Sequence, residues 1–396
     1  MALLQQVVIT GSGIIAPGIS NKQAFKRILK EGICTQSFIL NKNGVTEKLA
    51  AGVVDDECLN INGENYKRYA RASRLAVKAS LEAYEDASLS NIANQQRIAI
   101  VIGSAMGSIL EIEQHAKEAD VFRSFPVQGV SYVDSNTIAN SVANALHLTG
   151  PVYTVSTGCT ASLDAMLLGQ TLLQTNQADV CIIGGTDASL GQWTINGFQK
   201  LRSLAKQDEI GQAGTPFSEE QNGFVLAEGA AMLVLERKED AERRGQTIYA
   251  QIDGLVSRNE GLKVLMQDTT GEHMLEVLRE TLDGQIPTYI NSQALGMQIN
   301  DQIEYKNSKE LFNHTVPISS IKGMIGHTFG AMGAMQTIAS IISIEEGFIP
   351  PTIKASGNGF EGLPIVFQTT YTNVESVCIT AHSSSGNNTC LLISKI

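Results

Sequence analysis

The sequence predicts an α/β fold, in which short buried strands alternate with helices around a mixed or parallel sheet. Two apolar runs, Ile98–Ile102 and Val180–Ile183, each end in glycine and are typical of strands buried on both faces. The segment from Thr160 to Leu173 is almost entirely apolar or small, which is typical of a helix buried on all sides. Of the 396 residues, 43% are hydrophobic and 17% are charged, so we expect one or two domains with a large core.

The remaining elements follow from periodicity, caps and turn residues. The recurrence of alanine and leucine at three- and four-residue steps predicts one long helix in the first quarter of the chain. In chain order, we predict a strand at Val7–Thr10 that runs into a glycine turn at 11–13, a helix capped by Asn21 with Phe25, Ile28 and Leu29 buried, a helix from about Tyr66 to Ala87, a charged helix after Glu236, and a strand at Ile248–Ile252 that begins a second half.

Charge and composition exclude several classes of protein. The net charge is −11 and no long run of basic residues occurs, which argues against nucleic acid and anionic membranes as partners. The first residues lack the basic flank and apolar core of a signal peptide, and no apolar run approaches the roughly 20 residues that span a bilayer. Six scattered cysteines without a C-x-x-C pair predict neither a disulfide framework nor a zinc site. We therefore expect a cytoplasmic protein without metal or cofactor.

One cysteine stands in a reactive context. Cys159 follows a predicted strand and a glycine and precedes the buried helix, so its thiol is expected at a helix N-terminus. Unpaired N–H groups and the helix dipole there favour thiolate, which predicts a nucleophile with a thiol pKa below its usual value of roughly 8.5. The same N–H groups are suited to an oxyanion hole. The alternative, a small buried apolar residue, is our interpretation of the other five cysteines.

Four segments resemble, in the same order, the β-ketoacyl-acyl-carrier-protein synthases, the elongating class of the thiolase fold. They are Pro151–Met166 around the cysteine, Val180–Thr186, Pro216–Glu236 and Ser319–Ala334. The resemblance covers essentially the whole chain. It implies a five-layer αβαβα fold of two pseudo-equivalent halves, with residues 1–240 carrying the nucleophilic cysteine and residues 241–396 carrying Lys322 and His327.

The resemblance also implies a catalytic set, from which this chain departs. The family uses a cysteine and two histidines with a lysine behind them, and Cys159, His327 and Lys322 match. The other histidine belongs to a motif of the form Asn-Ala-His-Gly-Thr-x-Thr-Pro-x-x-Asp, where this chain has Gln293. By the resemblance, Glu304 would pair with Lys322. Gln293 could still donate a hydrogen bond through its amide, so weak condensation is expected.

The substrate pocket departs from the family as well. Where the family has Ser-Phe-Gly-Phe-Gly-Gly-Thr-Asn, this chain reads Ala381–Asn388, which places His382 and Ser384 at two aromatic positions. Ser384 falls at the family's pocket gate, and Met106 is also expected to line the pocket. His382 is either functional or an ordinary loop histidine, and the sequence leaves both readings open.

The resemblance leaves two functions open. The first is a divergent ketosynthase that handles acyl thioesters of an acyl carrier protein through Cys159, in polyketide or other specialised fatty-acid-like biosynthesis. The second is a non-catalytic partner subunit like a chain-length factor. A thiolase reaction on coenzyme A thioesters is less favoured, because the Lys322/His327 segment has the synthase pattern.

We expect an acyl carrier protein and a second ketosynthase-like chain as partners. The resemblance implies that a homodimer or heterodimer forms through the strand at 152–157, which would otherwise be an unprotected sheet edge. Acidic carriers would be steered by a basic patch, although a solvated helix face explains the same residues. The patch comprises Lys67, Arg68, Arg71 and Arg74, expected on one helix, and Arg202, expected at the end of another.

Overall fold

The computed structural model describes residues 5–39, 48–61, 66–92, 94–116, 125–206, 208–263 and 266–396. The strands are β1 Val7–Ile15, β2 Ser37–Ile39, β3 Leu49–Gly52, β4 Ile98–Gly103, β5 Val152–Val155, β6 Val180–Asp187, β7 Leu226–Ala227, β8 Gly229–Arg237, β9 Ala250–Asn259, β10 Tyr289–Asn291, β11 Ile318–Ser319, β12 Phe348–Ile349, β13 Thr370–Tyr371, β14 Ser376–His382 and β15 Asn387–Ser394. The helices are α1 Lys22–Glu31, α2 Arg71–Asp86, α3 Ile109–His115, α4 Gly129–Val133, α5 Thr137–Leu146, α6 Ala161–Gln174, α7 Gln192–Lys200, α8 Lys238–Arg243, α9 Glu272–Leu282, α10 Gln298–Phe312, α11 Lys322–Ile325 and α12 Met332–Glu346.

Two sets of five strands share one topology. The first half has the order β5-β4-β6-β8-β1, and the second has β11-β10-β14-β15-β9. Strand β4 is parallel to β5 and β6, just as β10 is parallel to β11 and β14. Strand β8 is antiparallel to β6 and β1, just as β15 is antiparallel to β14 and β9. Within the described part of the sheet, the halves meet where β1 pairs with β9, at Val8–Gln251 and Ile9–Ala250. This repetition agrees with the pseudo-equivalent halves that the resemblance implies.

The helices complete the layers. Helices α6 and α12 pack against each other and against strands of the first half, and α12 also reaches β14. Helix α2 packs on β1, β6 and β8, while α9 packs on β9 and β15. The α/β prediction and the αβαβα layering are confirmed. No helix among the described residues is long and apolar enough to cross a membrane.

Several local predictions are also confirmed. The Asn21 side chain accepts a hydrogen bond from the Ala24 N–H at 2.8 Å, and the predicted apolar face of α1 is buried. Strands β4 and β6 are buried along their whole lengths, as the glycine-terminated apolar runs predicted. Helix α6 is buried along most of its surface, and it begins at Ala161, after the turn that contains Cys159.

The predicted glycine turn at 11–13 is wrong, because β1 continues through it with a bulge after Ile9. The glycines instead allow α2 to lie directly on the strand. A Cβ at Gly13 would come within 2.1 Å of the Ala79 carbonyl oxygen, and one at Gly11 within 2.7 Å of the Ala87 Cβ. Close packing of a helix on a strand, rather than a change of chain direction, therefore explains these glycines.

The predicted helix start at Tyr66 is also wrong. Residues 66–68 form a separate 3-10 turn, and α2 begins at Arg71. Arg68 and Arg71 therefore do not lie on one helix, and the side chain of Lys67 lies outside the described part of the structure.

Candidate active site

A cavity of about 410 Å³ lies where strand ends of the two halves face each other. Cys159 follows β5 and His327 comes after β11. These two strands occupy equivalent positions in the two halves, at the two edges of the sheet. The residues predicted from the sequence that line this cavity are Cys159, His327, Gln293, His382, Met106 and Ser384. Lys322 and Glu304 are buried behind it.

The turn that carries the nucleophile is fixed from two sides. Cys159 lies in a single 3-10 turn, Gly158–Thr160, that leads into α6. Gly158 has a φ of +73°, and a Cβ there would come within 2.3 Å of the Ser383 hydroxyl. Asp164 in the first turn of α6 accepts hydrogen bonds from the hydroxyls of Thr157 and Thr160. The sulfur is thus held at the helix N-terminus, as the sequence predicted.

Cys159 and His327 form a directly contacting pair, with the thiol sulfur 3.1 Å from the imidazole Nε2. Burial raises the pKa of the Cys159 thiol to about 12, and the nearby Asp187 carboxylate acts in the same direction. Burial and the neighbouring Lys322 lower the pKa of His327 to about 3. The predicted low thiol pKa is therefore wrong, because burial outweighs the helix N-terminus. The resting pair is a neutral thiol and a neutral imidazole.

Lys322 does not pair with Glu304 as predicted. Its ammonium donates to the Ser292 carbonyl oxygen at 2.9 Å, and within the described part of the chain it forms no ion pair. Ser292 separates the two groups, because its hydroxyl donates to Glu304 at 2.7 Å. Burial lowers the pKa of Lys322 to about 7, although Glu304 and Cys159 oppose the shift.

Glu304 instead binds His382. The imidazole Nε2 lies 3.2 Å from a Glu304 carboxylate oxygen, and the Thr380 hydroxyl donates to the other oxygen at 2.9 Å. Against the cost of burial, the hydrogen bond from His382 holds the pKa of Glu304 below its usual value. His382 is 1% exposed and ends β14, so it is not an ordinary loop histidine.

Gln293 is held by backbone and side-chain contacts. Its N–H donates to the Thr380 hydroxyl at 2.9 Å, and its amide nitrogen donates to the His382 carbonyl oxygen at 3.2 Å. Its amide oxygen is buried and accepts no hydrogen bond in the described structure. One of the two N–H donors of the Gln293 amide is therefore engaged, which orients the other.

Sequence reasoning missed Asp187, at the end of β6. This buried carboxylate accepts hydrogen bonds from the N–H groups of Ala105, Met106 and Gly330 at 2.7–3.0 Å, and from the Ser104 hydroxyl at 2.9 Å. Burial raises its pKa to about 6 despite these bonds. An acidic residue directly after a buried strand was the available signal, since such a residue must find several donors. Asp187 ties the loop after β4 to the loop after His327.

The basic residues differ in availability. Arg71 is 13% exposed and forms ion pairs with Glu228 and Asp56. Arg74 is partly buried, whereas Arg68 and Arg202 are exposed. Arg202 lies between Leu201 and Ser203, which line the cavity. Of the predicted docking residues with described side chains, only Arg68 and Arg202 are therefore exposed cations.

Two family models match most of the chain, including Cys159 and His327. The model for the β-ketoacyl synthase N-terminal domain matches residues 4–241, and that for the C-terminal domain matches residues 249–356. The chain belongs to the β-ketoacyl synthase family. Membership in this family agrees with the resemblance and places Cys159 and His327 in its two matched domains.

Relatives of this β-ketoacyl synthase family member come from polyketide and fatty-acid pathways. The tetracenomycin polyketide synthase ketoacyl synthase alpha subunit of Streptomyces glaucescens is 34% identical, over 88% of this chain and 87% of that protein. The 3-oxoacyl-[acyl-carrier-protein] synthase 2 of Coxiella burnetii is 28% identical and covers 99% of each chain.

Solved structures of the family have the same fold. One is a type II polyketide ketosynthase in complex with its acyl-carrier protein, which is 25% identical, covers 99% of this chain and 100% of that one, and superposes with a TM-score of 0.88. A β-ketoacyl synthase from Burkholderia phymatum is 24% identical, with a TM-score of 0.89 over 99% of this chain and 100% of that one. The second likeness concerns the fold alone.

Proposed function

We propose that the protein is a divergent ketosynthase that accepts acyl groups from an acyl carrier protein onto Cys159, in polyketide or other specialised fatty-acid-like biosynthesis in the cytoplasm. The observation that carries this proposal is the 3.1 Å contact between the Cys159 sulfur and His327 Nε2. A nucleophile in hydrogen-bond reach of a base is the signature of covalent catalysis.

The neutral resting pair determines the order of events in acyl loading. His327 takes the thiol proton as the sulfur attacks the thioester carbonyl, and the backbone N–H groups of the turn before α6 are suited to stabilise the oxyanion. The new carbon–sulfur bond to Cys159 forms, the bond to the carrier sulfur breaks, and the carrier thiol leaves with the proton from His327. Since His327 Nδ1 has no partner among the described residues, no carboxylate stabilises the imidazolium.

Condensation places a further demand on the site. Decarboxylation of a malonyl thioester develops an enolate that needs hydrogen-bond donors. At the position of the second family histidine, one N–H of the Gln293 amide donates to the His382 carbonyl oxygen, which leaves a single N–H in a direction set by that bond. A missing donor costs about 10²–10³ in rate, so we expect loading to outpace decarboxylation.

The partners follow from the same proposal. An acidic acyl carrier protein would dock near the cavity mouth against Arg68 and Arg202. A second ketosynthase-like chain would cover β5, which pairs only with β4 among the described strands and leaves Tyr153 39% exposed. Pairing of two β5 edges would make the protein a homodimer or heterodimer.

An alternative is a non-catalytic partner subunit, like a chain-length factor. It is favoured by Gln293, which stands where the family pattern has a catalytic histidine. Mass spectrometry of the intact protein after incubation with acyl-carrier thioesters separates the two. We expect an adduct on Cys159 that is absent from Cys159→Ala, whereas a chain that never acquires an adduct would be a partner subunit.

A further inference from the structure

Three amide side chains surround His382 and turn their nitrogen ends towards it. The amide nitrogen of Asn300 lies 3.1 Å from His382 Nδ1, and that of Gln267 lies 3.5 Å from the same atom. The amide nitrogen of Gln293 donates to the His382 carbonyl oxygen at 3.2 Å. All four residues line the cavity that contains Cys159.

The ring orientation of His382 fixes the polarity of these contacts. Its Nε2 faces the Glu304 carboxylate at 3.2 Å, so in the neutral ring Nε2 carries the hydrogen and Nδ1 accepts. Asn300 and Gln267 therefore present nitrogen to the ring. The amide oxygen of Gln293 is buried without a hydrogen-bond partner, and no described residue donates to the amide oxygens of Asn300 and Gln267. One wall of the cavity thus carries hydrogen-bond acceptors that lack donors.

The rest of the lining limits what can supply those donors. Phe198, Phe224 and Phe329 form an aromatic cluster in the lining, beside Leu295 and Met297. The described lining contains no aspartate, glutamate, lysine or arginine. A charged ammonium group would find no carboxylate in this described lining, so a neutral hydrogen-bond donor fits best.

We propose that the acyl group loaded on Cys159 carries a hydroxyl close to the thioester, as in a 3-hydroxyacyl chain, and that Asn300 and Gln267 accept its hydrogen bond. This inference rests on the proposed function. A saturated chain leaves the amide oxygens unpaired, and a 3-oxoacyl chain places a second acceptor against them. A hydroxyl supplies the missing donor without adding a carbonyl.

Acyl-carrier thioesters of equal length test this specificity. Octanoyl, 3-hydroxyoctanoyl and 3-oxooctanoyl carriers are incubated separately with the protein, and adduct formation on Cys159 is followed by intact-protein mass spectrometry. We expect the 3-hydroxyoctanoyl group to load about tenfold faster than either of the others, which corresponds to one well-formed hydrogen bond. Equal rates for all three would overturn the inference but leave the proposed function standing. No adduct from any of them would overturn both.

Variants that remove the acceptors sharpen the test. Asn300→Leu and Gln267→Met retain side-chain volume but lose the amide oxygen, so the ratio of hydroxyoctanoyl to octanoyl loading should fall towards one. The exposed amide of Gln285 lies outside the cavity lining, and Gln285→Met should keep the wild-type ratio. Because Asn300 is buried, Gln267→Met at a half-buried position provides the result if Asn300→Leu fails to fold. A wild-type ratio in Gln267→Met would contradict the inference.

Discussion

The two halves have the same strand order, but equivalent strand ends have different chemistry. In the first half, β6 ends in Asp187, whose carboxylate accepts hydrogen bonds from three backbone N–H groups and one hydroxyl. In the second half, the equivalent strand β14 ends in His382, which is surrounded by amide side chains and Glu304. Asp187 fixes the backbone of neighbouring loops, whereas the contacts of His382 are made by side chains. Substitution of those side chains can change the lining of the cavity without changing the backbone. The departures from the family pattern at Gln293, His382 and Ser384 all lie in this second half.

The largest effect should come from the base that the second half supplies to the nucleophile. Because the Cys159 thiol is neutral at rest, His327→Ala removes the group that takes its proton, and acyl loading should slow by about 10³-fold. Rates of adduct formation on Cys159 measure this. His314→Ala, at a partly buried histidine outside the cavity lining, is the matched control and should load normally. Loading at the wild-type rate in His327→Ala would show that Cys159 does not depend on this base.

The pH dependence of Cys159 alkylation tests the neutral pair directly. Since burial raises the pKa of the thiol to about 12, only its small thiolate fraction reacts at neutral pH. As long as the pH stays below the pKa, the thiolate fraction increases about tenfold with each unit by which the pH is raised. Alkylation by iodoacetamide should therefore become about tenfold faster per unit from pH 6 to pH 9. Peptide mapping against Cys159→Ala isolates this thiol. A plateau below pH 8 would instead indicate a thiolate at rest.

Removal of Asp187 should reduce stability more than removal of its counterpart in the second half. Asp187→Ala leaves four buried donors without a partner, which should lower the free energy of unfolding by about 3 kcal/mol or more. His382→Phe restores an aromatic residue of the family pattern and should cost less. Denaturant unfolding of both variants measures the difference, and equal losses would remove the distinction between the two strand ends.

Restoring the family residues in the second half should improve condensation. In Gln293→His alone, His382 still occupies the space beside the new imidazole. We therefore expect release of carbon dioxide from malonyl carrier to be less than tenfold faster than in the wild type. Gln293→His combined with His382→Phe frees the imidazole to donate and should raise release by about 10²-fold. The His382→Phe single variant is the control. Wild-type release at the rate of an ordinary synthase would contradict this interpretation.

The smallest effect concerns carrier docking. Arg68→Glu and Arg202→Glu should slow loading from carrier thioesters about three- to tenfold at low salt, and less at high salt. Loading from the corresponding pantetheine thioester should be unaffected, because it lacks the acidic carrier. Arg27→Glu, at an exposed arginine on α1, is the matched control. Unchanged carrier loading in both variants would remove these arginines from the docking surface.

The sequence predicted the parts of the site that depend on local pattern. Cys159 at a helix start and His327 in its glycine-rich segment could be identified because each carries its own structural context. Lys322 and Glu304 could not be placed, because their separation depends on Ser292, which has no pattern of its own. The roles of Gly11 and Gly13 depend on a helix far along the chain. Asn300 was missed because a single amide on a helix carries no signal until its neighbours are known.

The shared strand order has a consequence for biosynthesis. In each half, the strand that is last in sequence lies inside the sheet: β8 lies between β1 and β6, and β15 lies between β9 and β14. The turn between β14 and β15 also carries Ser384 at the cavity rim. As the chain emerges from the ribosome, β9 and β14 cannot be joined until residues 387–394 arrive. The turn that packs against Gly158, next to the nucleophile, is therefore completed only after Cys159 has long been synthesised, and an unfinished chain lacks a closed acyl site.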